Sequence, residues 1–315
     1  MSFGDNLLKR SSSYNFYKHE YKKLSNENQK LVRKNDELMQ NFEKLQSQNK
    51  ELIKVVSELN KGFNHYSEFF NDKFNKINHD FVERDNFQRV LNKEIQYAFI
   101  FNDTIKDSEW LKNKNFSLIN AAANYSLMYL LYRVLDETKP INILELGLGQ
   151  TTKLTTQYAD FFKDAKLTVL EGDQTWIDSF SKNLVNGDNV DIVNMDLEII
   201  EYNNSETIRF KNVSDIVKDN KFDLIIIDGP QGFIPDSDRD LEYSRTNVWE
   251  LIPDNLSDDF VIIMDDYNRN GEMNTISHVK ELLNENNIAF YEYNSWAYKS
   301  QHAIFSEKFK YVSWF

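Results

Sequence analysis

Three carboxylates mark where the chemistry of this chain is to be sought. Asp228 ends an apolar strand expected at 222–228, and Asp265 and Asp266 follow the same pattern at 259–265. In a parallel α/β sheet the carboxyl ends of strands open onto one crevice, so the three acids should converge. Like charges held together need a neutralising cation. Oxygen-only donors, with no Cys or His among them, suit Mg²⁺ best, then Ca²⁺ or Mn²⁺. Such an ion would hold two neighbouring hydroxyls of an acceptor and lower the pKa of one. The bland reading is that Asp265 or Asp266 caps the next helix.

A second patch reads Glu145-Leu146-Gly147-Leu148-Gly149-Gln150, a strand entering a glycine turn. Glycine admits positive φ and close approach of a ligand. The dinucleotide fingerprint asks for a third Gly or Ala where this chain has Thr152, so a dehydrogenase fits poorly. The next strand ends in Glu171, placed for ribose hydroxyls, and the third leads to Asp196, placed beside a purine.

These residues need a sheet to position them. Strands are expected at 141–147, 166–171, 190–195, 222–228, 259–265 and 288–293. Helices are expected at 116–138, 151–163, 174–185, 240–252 and 272–286. Strands alternating with helices imply an α/β, doubly wound, mostly parallel sheet. Residues 301–306 follow 288–293 with no helix between, which implies a closing antiparallel hairpin.

Ahead of this domain, expected over 116–315, lies a different pattern. Leu24, Leu31, Leu38, Leu45, Leu52 and Leu59 recur every seven residues. Three places before each stand Tyr21, Asn28, Asn35, Phe42, Asn49 and Val56. Leucine at d with asparagine at a reads as a parallel two-stranded coiled coil over 16–66, a homo-oligomer in which asparagine fixes register. Residues 21–61 would make a rod roughly 60–70 Å long. A single helix folded back on the globular part is the alternative. Residues 1–15, polar and Ser-rich, are expected to be disordered. Residues 67–115 form a helical connector.

The chain of 315 residues carries a net charge of −13 and no cysteine. That argues against nucleic acid as partner and excludes disulfides and Cys-bound zinc. No run reaches the roughly 20 apolar residues of a membrane span, nor a signal-peptide core. A cytoplasmic protein is expected, with a peripheral membrane assembly as one use of the rod.

Together these features resemble the class I S-adenosylmethionine-dependent methyltransferases, over roughly 116–315. The resemblance implies a seven-stranded sheet with a reversed last strand. It assigns Glu145, Gly147, Gly149, Gln150, Glu171 and Asp196 to the cofactor. The acids at 228, 265 and 266 are similar to those of metal-dependent sugar O-methyltransferases that tailor antibiotics. Those enzymes carry a further acid where this chain has Pro230, so the base lies elsewhere. Candidates are His278, His302, and Asp236, Asp238 and Asp240 in the loop 231–240. His278 also reads as a packed or surface residue. Arg245 and Arg269 are placed to bind an anionic acceptor group, although Arg269 can instead pair with Glu272 at (i, i+3). Tyr267, Trp296 and Tyr298 could stack on a sugar ring or simply pack. The expected activity is O-methylation of a sugar, glycan or glycosylated metabolite, with Asp228, Asp265 and His278 as catalytic residues. The alternatives are a small-metabolite transferase, an aminopropyltransferase-like enzyme, or a scaffold whose domain only binds a nucleotide or partner.

Overall fold

The computed structural model describes residues 3–118, 123–185, 187–233 and 241–315. Contacts divide the chain into two units, Met1–Glu83 and Arg84–Phe315. The first helix, α1, is Phe3–Thr104. It starts within the segment expected to be disordered, since no proline interrupts its early turns. Within the first unit the heptad leucines from Leu24 to Leu59 are each more than half exposed in the single chain.

The second unit begins with the last turns of α1. There Tyr97 and Phe101 join the core, and Glu94 accepts the Tyr125 N–H at 2.6 Å and the Asn124 side-chain amide at 2.8 Å. Then follow α2 (Tyr125–Thr138), β1 (Asn142–Leu146), α3 (Gln150–Phe161), β2 (Lys166–Glu171), α4 (Gln174–Phe180) and β3 (Val190–Asn194). Next come β4 (Leu197–Tyr202), β5 (Ser205–Phe210), α5 (Val213–Val217) and β6 (Phe222–Ile227). The unit closes with β7 (Leu256–Met264), α6 (Asn270–Glu285), β8 (Tyr291–Trp296) and β9 (Ser300–Phe305).

Seven strands form one sheet in the order β3-β2-β1-β6-β7-β9-β8. It is parallel except for β9, which runs antiparallel to both β7 and β8. This is the doubly wound α/β sheet with a reversed strand that the alternation of elements implied. Successive side chains point to opposite faces, and both faces are buried, so the strands read as continuous apolar runs. Ile143, Leu224, Ile226, Val261 and Ile263 meet α2 and α3 on one side. Leu144, Ile225, Ile227, Ile262 and Met264 meet α5, residues 246–251 and α6 on the other.

Several elements differ from expectation: the helical connector expected at 67–115 ends at Thr104, and α5 was not anticipated. The helix expected at 116–138 starts only at Tyr125, because Asn124 caps it by accepting the Leu127 N–H at 3.3 Å. Ahead of it, the amides of Lys112 and Asn113 donate to Gln157 Oε1 at 3.0 and 2.6 Å. The helix expected at 240–252 is a single 3₁₀ stretch, Thr246–Leu251, halted upstream by Arg245 in the left-handed region (φ 58°). The β4–β5 hairpin was not anticipated. Asn203 and Asn204 turn it with φ of 51° and 62°, the geometry a type I′ turn requires. Among the described residues no helix is long and apolar enough to cross a membrane.

Candidate active site

The glycine turn is built from the inside. Glu145, fully buried on β1, accepts from three hydroxyls of α3: Thr151 at 2.5 Å, Thr152 at 2.9 Å and Thr155 at 2.7 Å. Thr152 also accepts the Gly149 N–H at 2.9 Å. The threonine that breaks the dinucleotide fingerprint therefore ties the turn to its strand. Glu145 anchors the loop and does not line the cleft at the strand ends, where the resemblance placed it on a cofactor. Gly147 has φ 103°, and a Cβ there would lie 3.0 Å from the backbone of Asp228 and Gly229. Only glycine allows β1 and β6 to end in such close contact.

Burial pushes the Glu145 carboxyl up to about 7, against the opposing pull of the threonine hydroxyls. A carboxyl whose folded-state pKa is raised destabilises the fold as pH climbs from its unfolded value toward the folded one. The loss is about 3 kcal/mol across that window. Glu145→Gln is therefore expected to remove part of the fall in stability between pH 5 and 8. Urea melts of both proteins at the two pH values check it; parallel losses would refute the assignment.

Glu171 ends β2 with both carboxylate oxygens engaged. Oε2 accepts the Leu148 N–H at 2.9 Å, and Oε1 accepts the N–H groups of Gly172 and Asp173 at 2.8 and 3.0 Å. The acid thus joins the glycine turn to the end of the next strand. A cleft of about 400 Å³ opens here, lined by Gly147, Leu148, Glu171, Asp173, Leu197 and Phe210, with Asp228 on its wall. Leu197 and Phe210 come from the hairpin missed in the sequence and supply its apolar side. Asp196, expected beside a purine, is exposed and lies outside the lining.

A second cleft of about 410 Å³ adjoins the first and shares Leu148, Asp228 and Gln231 with it. Gln150, Trp176, Phe233, Arg245, Asp266 and Arg269 complete it. Trp176 is fixed by donating its indole N–H to Leu148 O at 2.8 Å. Its spacing gave no sign of a site, since it lies on a short exposed helix.

The three expected carboxylates do converge, with one oxygen of each within 4.8 Å of the others. They do not converge alone. The guanidinium of Arg245, 3% exposed, reaches Asp266 Oδ2 at 2.7 Å, Asp228 Oδ1 at 3.4 Å and Glu272 Oε1 at 3.6 Å. It also donates to the Asp265 carbonyl at 3.0 Å. The Lys299 ammonium lies 3.1 Å from Asp266 Oδ1 and 3.4 Å from Asp265 Oδ2. Gln301 donates to Asp265 Oδ1 at 2.8 Å, and Arg269 reaches Asp266 Oδ2 at 3.2 Å. Both Arg245 and Asp266 sit at positive φ (58° and 56°), strain that persists only where the surroundings enforce it.

The electrostatics follow from this packing. Burial would raise the Asp266 carboxyl, but Arg245, Lys299 and Arg269 outweigh it and hold the group below its usual value. Asp228 goes the other way. Burial and then the Asp265 charge push it up to about 8, although Arg245 and Lys299 oppose them. Asp265 and Asp266 thus face two buried cations, with Glu272 and Arg269 at the edge of the same cluster. A divalent ion would have to enter beside an ammonium and a guanidinium fixed on the same oxygens. The donor set does not fit the Mg²⁺ expected from the acids.

Other candidates fall away from the acids. His278, on α6, holds Glu281 at 2.9 Å and packs on Trp249 with ring centroids 4.7 Å apart; it lines neither cleft. His302 is buried on β9, bonded to Asn294 at 2.6 Å and stacked on Tyr267, and burial pushes it down to about 4. Tyr267 is thereby turned from an acceptor contact into a packing partner. Trp296, exposed with the Lys93 ammonium 5.5 Å from its ring centroid, and Tyr298 line neither cleft. Arg245 serves the acids, and Arg269 pairs with Asp266 and Glu272 while staying half-exposed at the second cleft. Asp236, Asp238 and Asp240 lie outside the described residues.

No protein-family profile and no curated protein matches the chain. Solved structures do. A proposed caffeoyl-CoA O-methyltransferase from Staphylococcus aureus is 15% identical, covering 68% of this chain and 99% of that one, at a TM-score of 0.41. An O-methyltransferase from Bacillus cereus, in complex with S-adenosylhomocysteine, is 14% identical, with 68% and 91% covered and a TM-score of 0.38. The O-methyltransferase TomG of Streptomyces achromogenes, in complex with S-adenosylmethionine, is 11% identical, with 68% and 89% covered and a TM-score of 0.38. Likenesses this distant do not carry an activity across.

Proposed function

We propose that the chain is an S-adenosylmethionine-dependent O-methyltransferase acting on a hydroxyl of a sugar, glycan or glycosylated metabolite. One observation carries the reading: Asp228 forms the wall common to two adjoining clefts. The first cleft offers carboxylates for ribose hydroxyls at Glu171 and Asp173, and an apolar side for a purine at Leu197 and Phe210. The second offers an aromatic face at Trp176 among Gln150, Gln231 and Arg269, a lining that suits a ring bearing hydroxyls.

S-adenosylmethionine held in the first cleft would supply the methyl group to an acceptor hydroxyl in the second, leaving as S-adenosylhomocysteine, and Asp228 is placed to take the hydroxyl proton. Asp228 itself thus fills the place of the base missing at Pro230. The rod is proposed as a parallel homodimeric coiled coil, supported by its exposed leucines and by the asparagines at a. A monomeric mass in light scattering would remove that part.

Calorimetric titration of S-adenosylhomocysteine into the protein tests the donor site. Micromolar binding is expected, weakened about tenfold by Glu171→Gln. Absence of binding to the wild-type chain would sink the methyl-transfer reading.

A further inference from the structure

The acids at the strand ends are those from which a metal is expected, yet the chain brings its own cations to them. Lys299 is placed by strand register. Met264 pairs with His302 across β7 and β9, so the next residues along, Asp265 and Gln301, face each other. The Tyr267 N–H donates to the Ser300 carbonyl at 2.9 Å and pins the β8–β9 turn against the end of β7. Lys299, in that turn, then reaches both Asp265 and Asp266. Gln301 is itself held, accepting from Ser126 and Ser295 at 2.6 Å each and donating to Asn124 at 2.9 Å. Lys299 is 7% exposed and Arg245 3%, so both cations are packed among the acids rather than turned to solvent.

An ammonium buried between two carboxylates stays charged because the pair is mutually stabilised. Asp265 and Asp266 outweigh the burial that would neutralise Lys299 and raise its pKa instead. A dication placed among the same oxygens would add repulsion from two fixed charges at close range, where the screening of bulk water is absent.

We propose that the Lys299 ammonium, with Arg245 beside it, occupies the place of a divalent cation, so that the site carries a built-in positive charge and binds no metal. The lysine is a positioning residue, fixing Asp265 and Asp266 around the wall that Asp228 presents to both clefts. The inference does not depend on methyl transfer, because metal binding is read on the free protein without donor or acceptor.

The test is titration with Mn²⁺, with free ion counted by its paramagnetic resonance signal. Wild-type protein should bind no stoichiometric Mn²⁺. Lys299→Ala and Lys299→Gln, checked for native circular dichroism, should each bind one ion at least about tenfold more tightly than wild type. That gain should vanish when Asp265→Asn is added. Stoichiometric binding by the wild-type chain that Asp265→Asn abolishes would overturn the proposal, whether or not the lysine variants fold. So would folded lysine variants that bind no better than wild type.

Discussion

Asp228→Asn is expected to cut turnover by about 10²–10⁴-fold, the range a positioned general base supplies. Binding of S-adenosylhomocysteine should change little, because the donor contacts come from the glycine turn and Glu171. Asparagine keeps the size of the side chain and can still face Arg245, 3.4 Å away. What it lacks is a site for the proton. The wild-type pH profile gives an independent check. A base must be ionised to act, and burial with the Asp265 charge holds this carboxyl at about 8. The rate should therefore climb about tenfold per pH unit below that value and level off above it. Full activity in Asp228→Asn, or a profile flat from pH 6 to 9, would exclude the residue as base.

The second large effect is on the fold. Arg245→Met is expected to destabilise the second unit by about 3–5 kcal/mol, the cost of leaving buried carboxylates without their partner. For a domain of this size that is a fall of about 10 °C in melting midpoint. One guanidinium touches Asp228, Asp266 and Glu272 and also ties down the Asp265 carbonyl. No single methionine contact offsets four such losses. Arg245→Lys should fall between, since an ammonium restores the charge but not the planar fork that spans several acceptors. Thermal unfolding of the three proteins decides it. An Arg245→Met midpoint within a degree or two of wild type would show that the acids are neutralised by another route.

Much of the architecture could be read in the residues. The runs LIII and FVIIM are apolar without alternation, as buried parallel strands must be, and an acid follows each. The glycine turn and the closing hairpin followed from the same patterns. The glycine turn, Glu171, Arg245 and Arg269 were legible beside the acids, but the acids' other contacts were not. Their partners come from positions whose relevance depends on register: Lys299 and Gln301 matter because β9 pairs with β7 at one offset and no other. Arg245 could be read as a candidate for an anionic acceptor group, but the left-handed residue that breaks its expected helix sets it on the acids instead. Asn203 and Asn204, between two short alternating runs, were the signal for the hairpin that supplies Leu197 and Phe210. His278 attracted attention by its residue type, yet its helix phase turns it toward Trp249.

The threonine clamp on Glu145 also constrains how this chain can change through descent. Its three hydroxyls converge on one fully buried acid. A lineage that loses one hydroxyl leaves the buried acid short of a partner, and a lineage that loses the acid takes from all three hydroxyls the acceptor they share. Neutral drift is thus barred at each position taken singly and open only to joint replacement. Relatives should therefore keep residues 145, 151, 152 and 155 together or exchange them together, even where the clefts have been reshaped for another acceptor.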